Sequence, residues 1–142
     1  MQLNIEQIKD ILPHRDPFLL LSGMDEVQYG NCAKGYWQLT GEEDFFKGHF
    51  PGNPVLPGVL MVESLSQAGA VTVLGMDEYK GKTAYFAAMD DVRFRRKVHP
   101  GEKLDLEVKI ISLKRGFGKG TGKVTVNGEV ACEASMVFAV NE

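Results

Sequence analysis

The sequence predicts an α+β domain in which a curved antiparallel sheet wraps around a long central helix. Two observations carry this prediction. Residues 58–76 form a nearly unbroken apolar run just after a proline, and a helix apolar nearly all round has to be buried. The second half of the chain is rich in strand-forming segments joined by short turns, as antiparallel neighbours allow. At 142 residues, with no internal repeat, low-complexity linker or shift of composition, residues 1–142 are expected to make a single domain.

Residues 4–12 (NIEQIKDIL) put Ile5, Ile8, Ile11 and Leu12 on one face, with Asn4 placed to cap them, so a short amphipathic helix is expected. Pro13 stops it. His14, Arg15 and Asp16 then sit between Pro13 and Pro17 in a fixed, exposed corner. Residues 18–21 (FLLL) read as a brief apolar strand, and Gly23 breaks the pattern. Residues 25–29 and 32–39 flank Gly30-Asn31 and suggest a hairpin. In its second arm Ala33, Gly35, Trp37 and Leu39 alternate with Lys34, Tyr36 and Gln38, so one face is buried and the other wet.

Beyond the apolar run comes a polar connector at 77–82, then a compact apolar strand at 83–88 (TAYFAA). Residues 92–98 (VRFRRKV) interleave strand formers with Arg93, Arg95, Arg96 and Lys97. Pro100-Gly101 makes a turn. Residues 104–113 alternate strongly, and residues 116–122 are glycine-rich. Segments 123–126 and 130–140 are joined by Asn127-Gly128, the strongest short-range hairpin signal in the chain.

Composition excludes several function classes. Hydrophobic residues make up 44% and charged residues 25%, which are ordinary globular values, and the net charge of −3 excludes a generally basic nucleic-acid binder. Cys32 and Cys132 are too few and too far apart for a disulfide framework or a zinc site, and read as buried thiols in a reduced compartment. The amino terminus lacks the apolar region and cleavage site of a signal peptide, and the apolar run carries Glu63, Ser64, Ser66 and Gln67. A soluble, cytoplasmic protein without a membrane or nucleic-acid partner is expected.

Chemistry concentrates in residues 47–76. Gly48, Pro51, Gly52, Pro54, Pro57 and Gly58 surround His49 and constrain the loop that carries it. The alternative is a merely tight connector. Pro57 fits the first turn of the long helix, and Gly58 then presents a bare N–H at its positive end, suited to an oxygen gaining negative charge. The alternative for Gly58 is close packing. Glu63 lies among apolar residues one turn before Gln67. A carboxyl in apolar surroundings keeps its proton to higher pH, as a general acid requires; the alternative is a solvent-facing or ion-paired glutamate. An imidazole base, a helix N–H and a neutral acid together suit β-elimination of water with no cofactor and no metal.

These segments closely resemble the bacterial (3R)-hydroxyacyl-[acyl-carrier-protein] dehydratases of the hot-dog fold. The similarity includes LPHRDPFLLL at 12–21, GHFPGNPVLPGVLMVE at 48–63, SQAGAV at 66–71 and KTAYFAAMDDVRFRRKVHPGE at 82–102, and covers nearly the whole chain. It implies a hydro-lyase of fatty acid biosynthesis that needs no cofactor. Its partner would be an acyl carrier protein bearing a phosphopantetheine-linked acyl chain. By the resemblance His49 and Glu63 are the catalytic pair and meet across the interface of a homodimer, which family members commonly build into trimers of dimers. Gly58 would hold the thioester carbonyl. The implied substrate-binding residues are Tyr85, Phe86, Phe50, Gln67, Leu12 and His14, with Tyr85 as the gate of the acyl tunnel. The cluster Arg93, Arg95, Arg96 and Lys97 would steer the acidic carrier protein, or else be solvated and paired within the chain.

Glutamate rather than aspartate at position 63 favours simple dehydration over a bifunctional dehydratase that also isomerises the trans-2 double bond to cis-3. A thioesterase or a silent acyl-binding module on the same fold are the other readings. Asp16, Ser22-Gly23 and His99 depart from the family's pattern.

Overall fold

The computed structural model describes residues 1–141. Six strands make one antiparallel sheet, and the helix α3 (Gly58–Leu74) packs on it. The strands are β1 (Gly23–Gln28), β2 (Cys32–Gln38), β3 (Thr83–Phe94), β4 (Lys103–Lys114), β5 (Phe117–Val126) and β6 (Glu129–Asn141), in the spatial order β1-β2-β4-β5-β6-β3. α3 touches all six strands. A flat sheet of this size would be roughly 24 Å across, and a helix is only about 10–12 Å wide, so the sheet has to curl around the helix. This is the hot-dog arrangement that the resemblance implied. From Met61 to Leu74, only Glu63 and Ser66 of α3 are not buried, so the helix is the core of the molecule.

The short elements follow their local chemistry. Asn4 caps α1 (Ile5–Ile11): its side chain accepts from the Gln7 N–H at 2.9 Å, and the Gln7 side chain accepts from the Asn4 N–H at 2.8 Å. Gly30 takes φ +78° in the β1–β2 hairpin. Arg115-Gly116 and Asn127-Gly128 have positive φ at both residues, as tight two-residue hairpins require. A four-residue helix, α2 (Phe45–Gly48), precedes the His49 loop.

Three expectations are corrected, at residues 18–21, along β3 and at Pro57. Residues 18–21 are not a strand, because side chains of α3 take the bonds a neighbouring strand would supply: Gln67 Oε1 accepts from the Leu20 N–H, and Ser64 Oγ donates to the Leu20 carbonyl. The segments at 83–88 and 92–98 are not separate strands. β3 runs through both, with register shifts at Phe86/Ala88 and Asp90/Arg93, and ends at Phe94. Of the glycine-rich residues 116–122, all but Gly116 lie inside β5, where Gly118, Gly120 and Gly122 are buried; a Cβ on Gly122 would stand 3.0 Å from Leu65 of α3. Pro57 is the N-cap of α3 rather than part of its first turn.

The outer face of the sheet carries a row of charge across every strand. Glu26 stands opposite Lys34, Lys34 opposite Glu107, Glu107 opposite Lys123, Lys123 opposite Glu133, and Glu133 opposite Arg93. Sign alternates at each step.

Close packing on the inner face is tested at Gly35. A Cβ there would lie 2.4 Å from Met24 Sδ and 2.8 Å from the Gly23 carbonyl oxygen, and the backbone atom cannot swing aside. Gly35→Ala should lower stability by about 1–3 kcal/mol, seen as a lower urea midpoint with unchanged slope.

Candidate active site

A cavity of about 1130 Å³ opens beside the first turns of α3. Its wall is mainly apolar, with Phe18, Trp37, Phe45, Phe86, Met89 and Phe94 supplying the large side chains. Trp37 meets Phe45 edge to face, their centroids 6.4 Å apart. His14 and Glu63 also line the cavity, as do Asp16, Glu42, Glu43 and Asp44.

Glu63 is held at one oxygen. Gln67, one turn along α3, donates from Nε2 to Glu63 Oε2 at 2.7 Å. His14 brings Nε2 to 3.8 Å from the same oxygen. Among the described residues Oε1 takes no hydrogen bond, so it is the oxygen left open. Gln67 is only 1% exposed, and its amide also donates to the Phe18 carbonyl at 2.8 Å while accepting from the Leu20 N–H at 2.7 Å. The amide is therefore fully engaged within the protein. It holds Glu63 and anchors residues 18–20, and it is not on the cavity wall.

His49 lies in the loop that leads from α2 to α3. Its Nδ1 is 2.8 Å from the Val55 carbonyl oxygen, which can only accept. In the neutral ring Nδ1 therefore carries the hydrogen, and Nε2 is the nitrogen with the free lone pair. The loop holds itself: Val55 N–H donates to the His49 carbonyl, and Phe50 and Asn53 exchange two backbone bonds at 3.0 and 2.8 Å. The Phe50 ring stacks on the imidazole with centroids 3.9 Å apart. His49 is not on the wall of the cavity that holds Glu63.

Gly58 opens α3, with its N–H at the helix's positive end. A Cβ there would lie 2.9 Å from the Phe94 ring, which walls the cavity, so a side chain at 58 would push into the site. Phe86 is on the wall, while Tyr85 and Phe50 are half exposed and off it. Leu12, at the carboxyl end of α1, is a core residue, 1% exposed and off the cavity wall. The basic cluster is divided. Arg95 pairs with Glu133, and Arg96 turns inward to Glu102 and Glu129, so Arg96 is not offered to a partner; Arg93 and Lys97 stay exposed.

Sequence reasoning passed over Ser64, Trp37, Phe45, Met89 and Phe94. The signal for Phe94 was an aromatic set among arginines, where a wholly wet strand would have no use for it. Among the described residues no group of three or more His, Cys, Asp or Glu is placed to hold a metal ion, and no helix is long and apolar enough to cross a membrane.

Glu43 links the cavity rim to pH. Burial acts to raise its pKa, but the backbone N–H groups of Thr40, Glu43 and Gly41, with the Thr40 hydroxyl, outweigh it and hold the carboxyl below the ordinary 4.5. A lowered folded value stabilises the protein above pH 4.5 and loses that contribution as pH falls through the folded pKa. Urea midpoints measured from pH 7 to 3 should fall less steeply in Glu43→Gln than in wild type. Separately, Gln67→Leu strands the Leu20 N–H and the Phe18 carbonyl, and should cost about 2–4 kcal/mol in urea unfolding.

Comparison with known proteins fits this site. The FabA-like domain model matches residues 12–135. The chain is 51% identical over 140 residues to the 3-hydroxyacyl-[acyl-carrier-protein] dehydratase FabZ of Bacillus subtilis (strain 168), covering 99% of each chain. It is 52% identical over 134 residues to the protein of the same name from Thermomicrobium roseum, covering 94% of this chain and 90% of that one. Among solved structures, the dehydratase heterocomplex ApeI:P from Xenorhabdus doucetiae matches with a TM-score of 0.80 at 19% identity, over 95% of this chain and 91% of the other, and shows the shared fold. A sheet curled around one helix, with Glu63 and His14 on the wall of a mainly apolar cavity, accompanies a match over nearly the full length: the chain belongs to the FabA-like family.

Proposed function

We propose that this protein dehydrates (3R)-3-hydroxyacyl-[acyl-carrier-protein] to trans-2-enoyl-[acyl-carrier-protein]. The observation that carries this reading is Glu63: among the carboxyls on the wall of a mainly apolar cavity, it is the one held by Gln67, at Oε2, with Oε1 left without a hydrogen bond. The full-length relatives named as 3-hydroxyacyl-[acyl-carrier-protein] dehydratases support it. His49 Nε2 removes a proton from the carbon next to the thioester carbonyl, and the C–H electrons pass into the enolate. The Gly58 N–H steadies the enolate oxygen. The electrons return to form the double bond, the C–O bond breaks, and Glu63 gives its proton to the departing hydroxide, which leaves as water. His49 ends with the added proton and Glu63 without one, so exchange with water restores both. Glutamate at 63 favours dehydration without isomerisation.

The catalytic unit is a dimer. Within one chain His49 is off the cavity wall, so a second copy supplies the base. β3 is an edge strand with one side unpaired, and it exposes Tyr85, Met89 and Phe94. An edge this apolar calls for a partner. Three such dimers then associate, as in the family. Arg93 and Lys97, rather than Arg96, offer charge to the carrier protein.

Enoyl-thioester absorbance tests the chemistry. His49→Ala and Glu63→Gln should each lower kcat by about 10²–10⁴. Wild-type protein that forms no enoyl thioester from a 3-hydroxyacyl thioester would refute the reading. Co-expression of the two variants should restore about a quarter of wild-type activity, because mixed dimers carry one intact site if the pair is shared between chains. Charge reversal at Arg93 and Lys97 should raise KM for carrier-bound substrate severalfold at low salt and have less effect at high salt.

A further inference from the structure

Arg96, His99 and Glu102 lie on the loop between β3 and β4, away from the cavity wall. They form one cluster. Glu102 Oε2 accepts from Arg96 Nη2 at 3.0 Å. Its Oε1 accepts from the His99 backbone N–H at 2.8 Å and lies 3.4 Å from His99 Nδ1. Arg96 Nε also stands 3.7 Å from Glu129. The Glu102 N–H donates back to the His99 carbonyl at 3.2 Å, closing the turn through Gly101 at φ +84°. The carboxylate thus clamps both ends of residues 96–99.

Val98, inside the clamp, is fully buried, and its carbonyl accepts from the Leu56 N–H at 2.8 Å. That N–H belongs to the same peptide unit as the Val55 carbonyl, to which His49 Nδ1–H donates at 2.8 Å. A peptide unit is planar and stiff. Fixing its N–H therefore fixes the direction of its oxygen, and the two bonds polarise one another.

We propose that the Arg96–Glu102–His99 cluster is the positioning device for the His49 imidazole, acting through the Val98 carbonyl and the single peptide Val55–Leu56. Glu102 is the positioning residue at its centre. It touches no substrate; it sets the tautomer and direction of a ring whose far nitrogen does the chemistry. His99 shares the carboxylate that makes the clamp.

The inference rests on His49 being the base of the proposed reaction, so its test has a readout independent of turnover. The imidazole nitrogens of His49 are followed by ¹⁵N NMR in wild type and in Glu102→Gln, alongside kcat and KM for a 3-hydroxyacyl thioester. The amide cannot serve Arg96 and His99 as the carboxylate does. The His49 nitrogen shifts should move from a fixed Nδ1–H tautomer towards a mixture, kcat should fall about tenfold, and KM should stay within about twofold. Should Glu102→Gln lose its fold by circular dichroism, Arg96→Lys weakens the same clamp, with a kcat about threefold lower and the same direction of nitrogen shift. Unchanged His49 nitrogens, or an undiminished kcat, in a folded variant would overturn the proposal. A wild type inactive towards hydroxyacyl thioesters would instead defeat the proposed reaction and leave the nitrogen measurement readable.

Discussion

Burial of α3 sets the terms for everything else. A 17-residue helix with its last fourteen positions nearly all withdrawn from water satisfies its own backbone, but any polar side chain on it must find a partner. Ser64, Gln67 and Thr72 are the buried polar residues, and each has one. Thr72 turns back to the Ala68 carbonyl in its own helix. Ser64 and Gln67 reach outwards and bind residues 18–20, so the loop that walls the cavity is attached to the core by side chains. Glu63, which is partly exposed, uses what remains of the Gln67 amide. The same bonds that let the helix be buried also hold the acid in place.

The fold was largely legible because its signals are local or periodic. The apolar run marked the helix, the alternation of Ala33, Gly35, Trp37 and Leu39 marked the inner face of β2, and Asn127-Gly128 marked the last hairpin. Residues 18–21 misled because a strand and an extended segment stapled by side chains have the same local composition. Which of the two forms depends on Gln67, 47 residues away from Leu20. β3 was broken in two on paper because its bulges interrupt the pattern that defines a strand.

The site was less evenly legible. His49, Gly58 and Glu63 stood out because unusual backbone or an acid among apolar residues is visible one residue at a time. The apolar wall did not, since Trp37, Phe45 and Phe94 come from three separate elements and meet only in the folded chain. Roles were harder still. Gln67 is near Glu63 in sequence but turns into the core, Leu12 is buried there too, and Arg96 sits in a basic run but faces carboxylates of its own chain. Direction of a side chain, which composition cannot carry, separates a residue that binds from one that supports.

The charged row across the outer face bears on how the sheet finds its alignment. Inside–outside alternation forbids a slip of one residue, because that would turn every apolar side chain to water. It does not forbid a slip of two, which preserves the alternation completely. The row does discriminate. Shifted by two in one direction, Lys123 would leave Glu107 and face Lys109, and Lys34 likewise would meet Lys109. Each exposed pair adds little free energy when correctly aligned. Shifted the other way, both lysines would meet Asp105, so on these strand pairs the row acts as a one-way check on alignment, rejecting a slip that the hydrophobic pattern alone would accept.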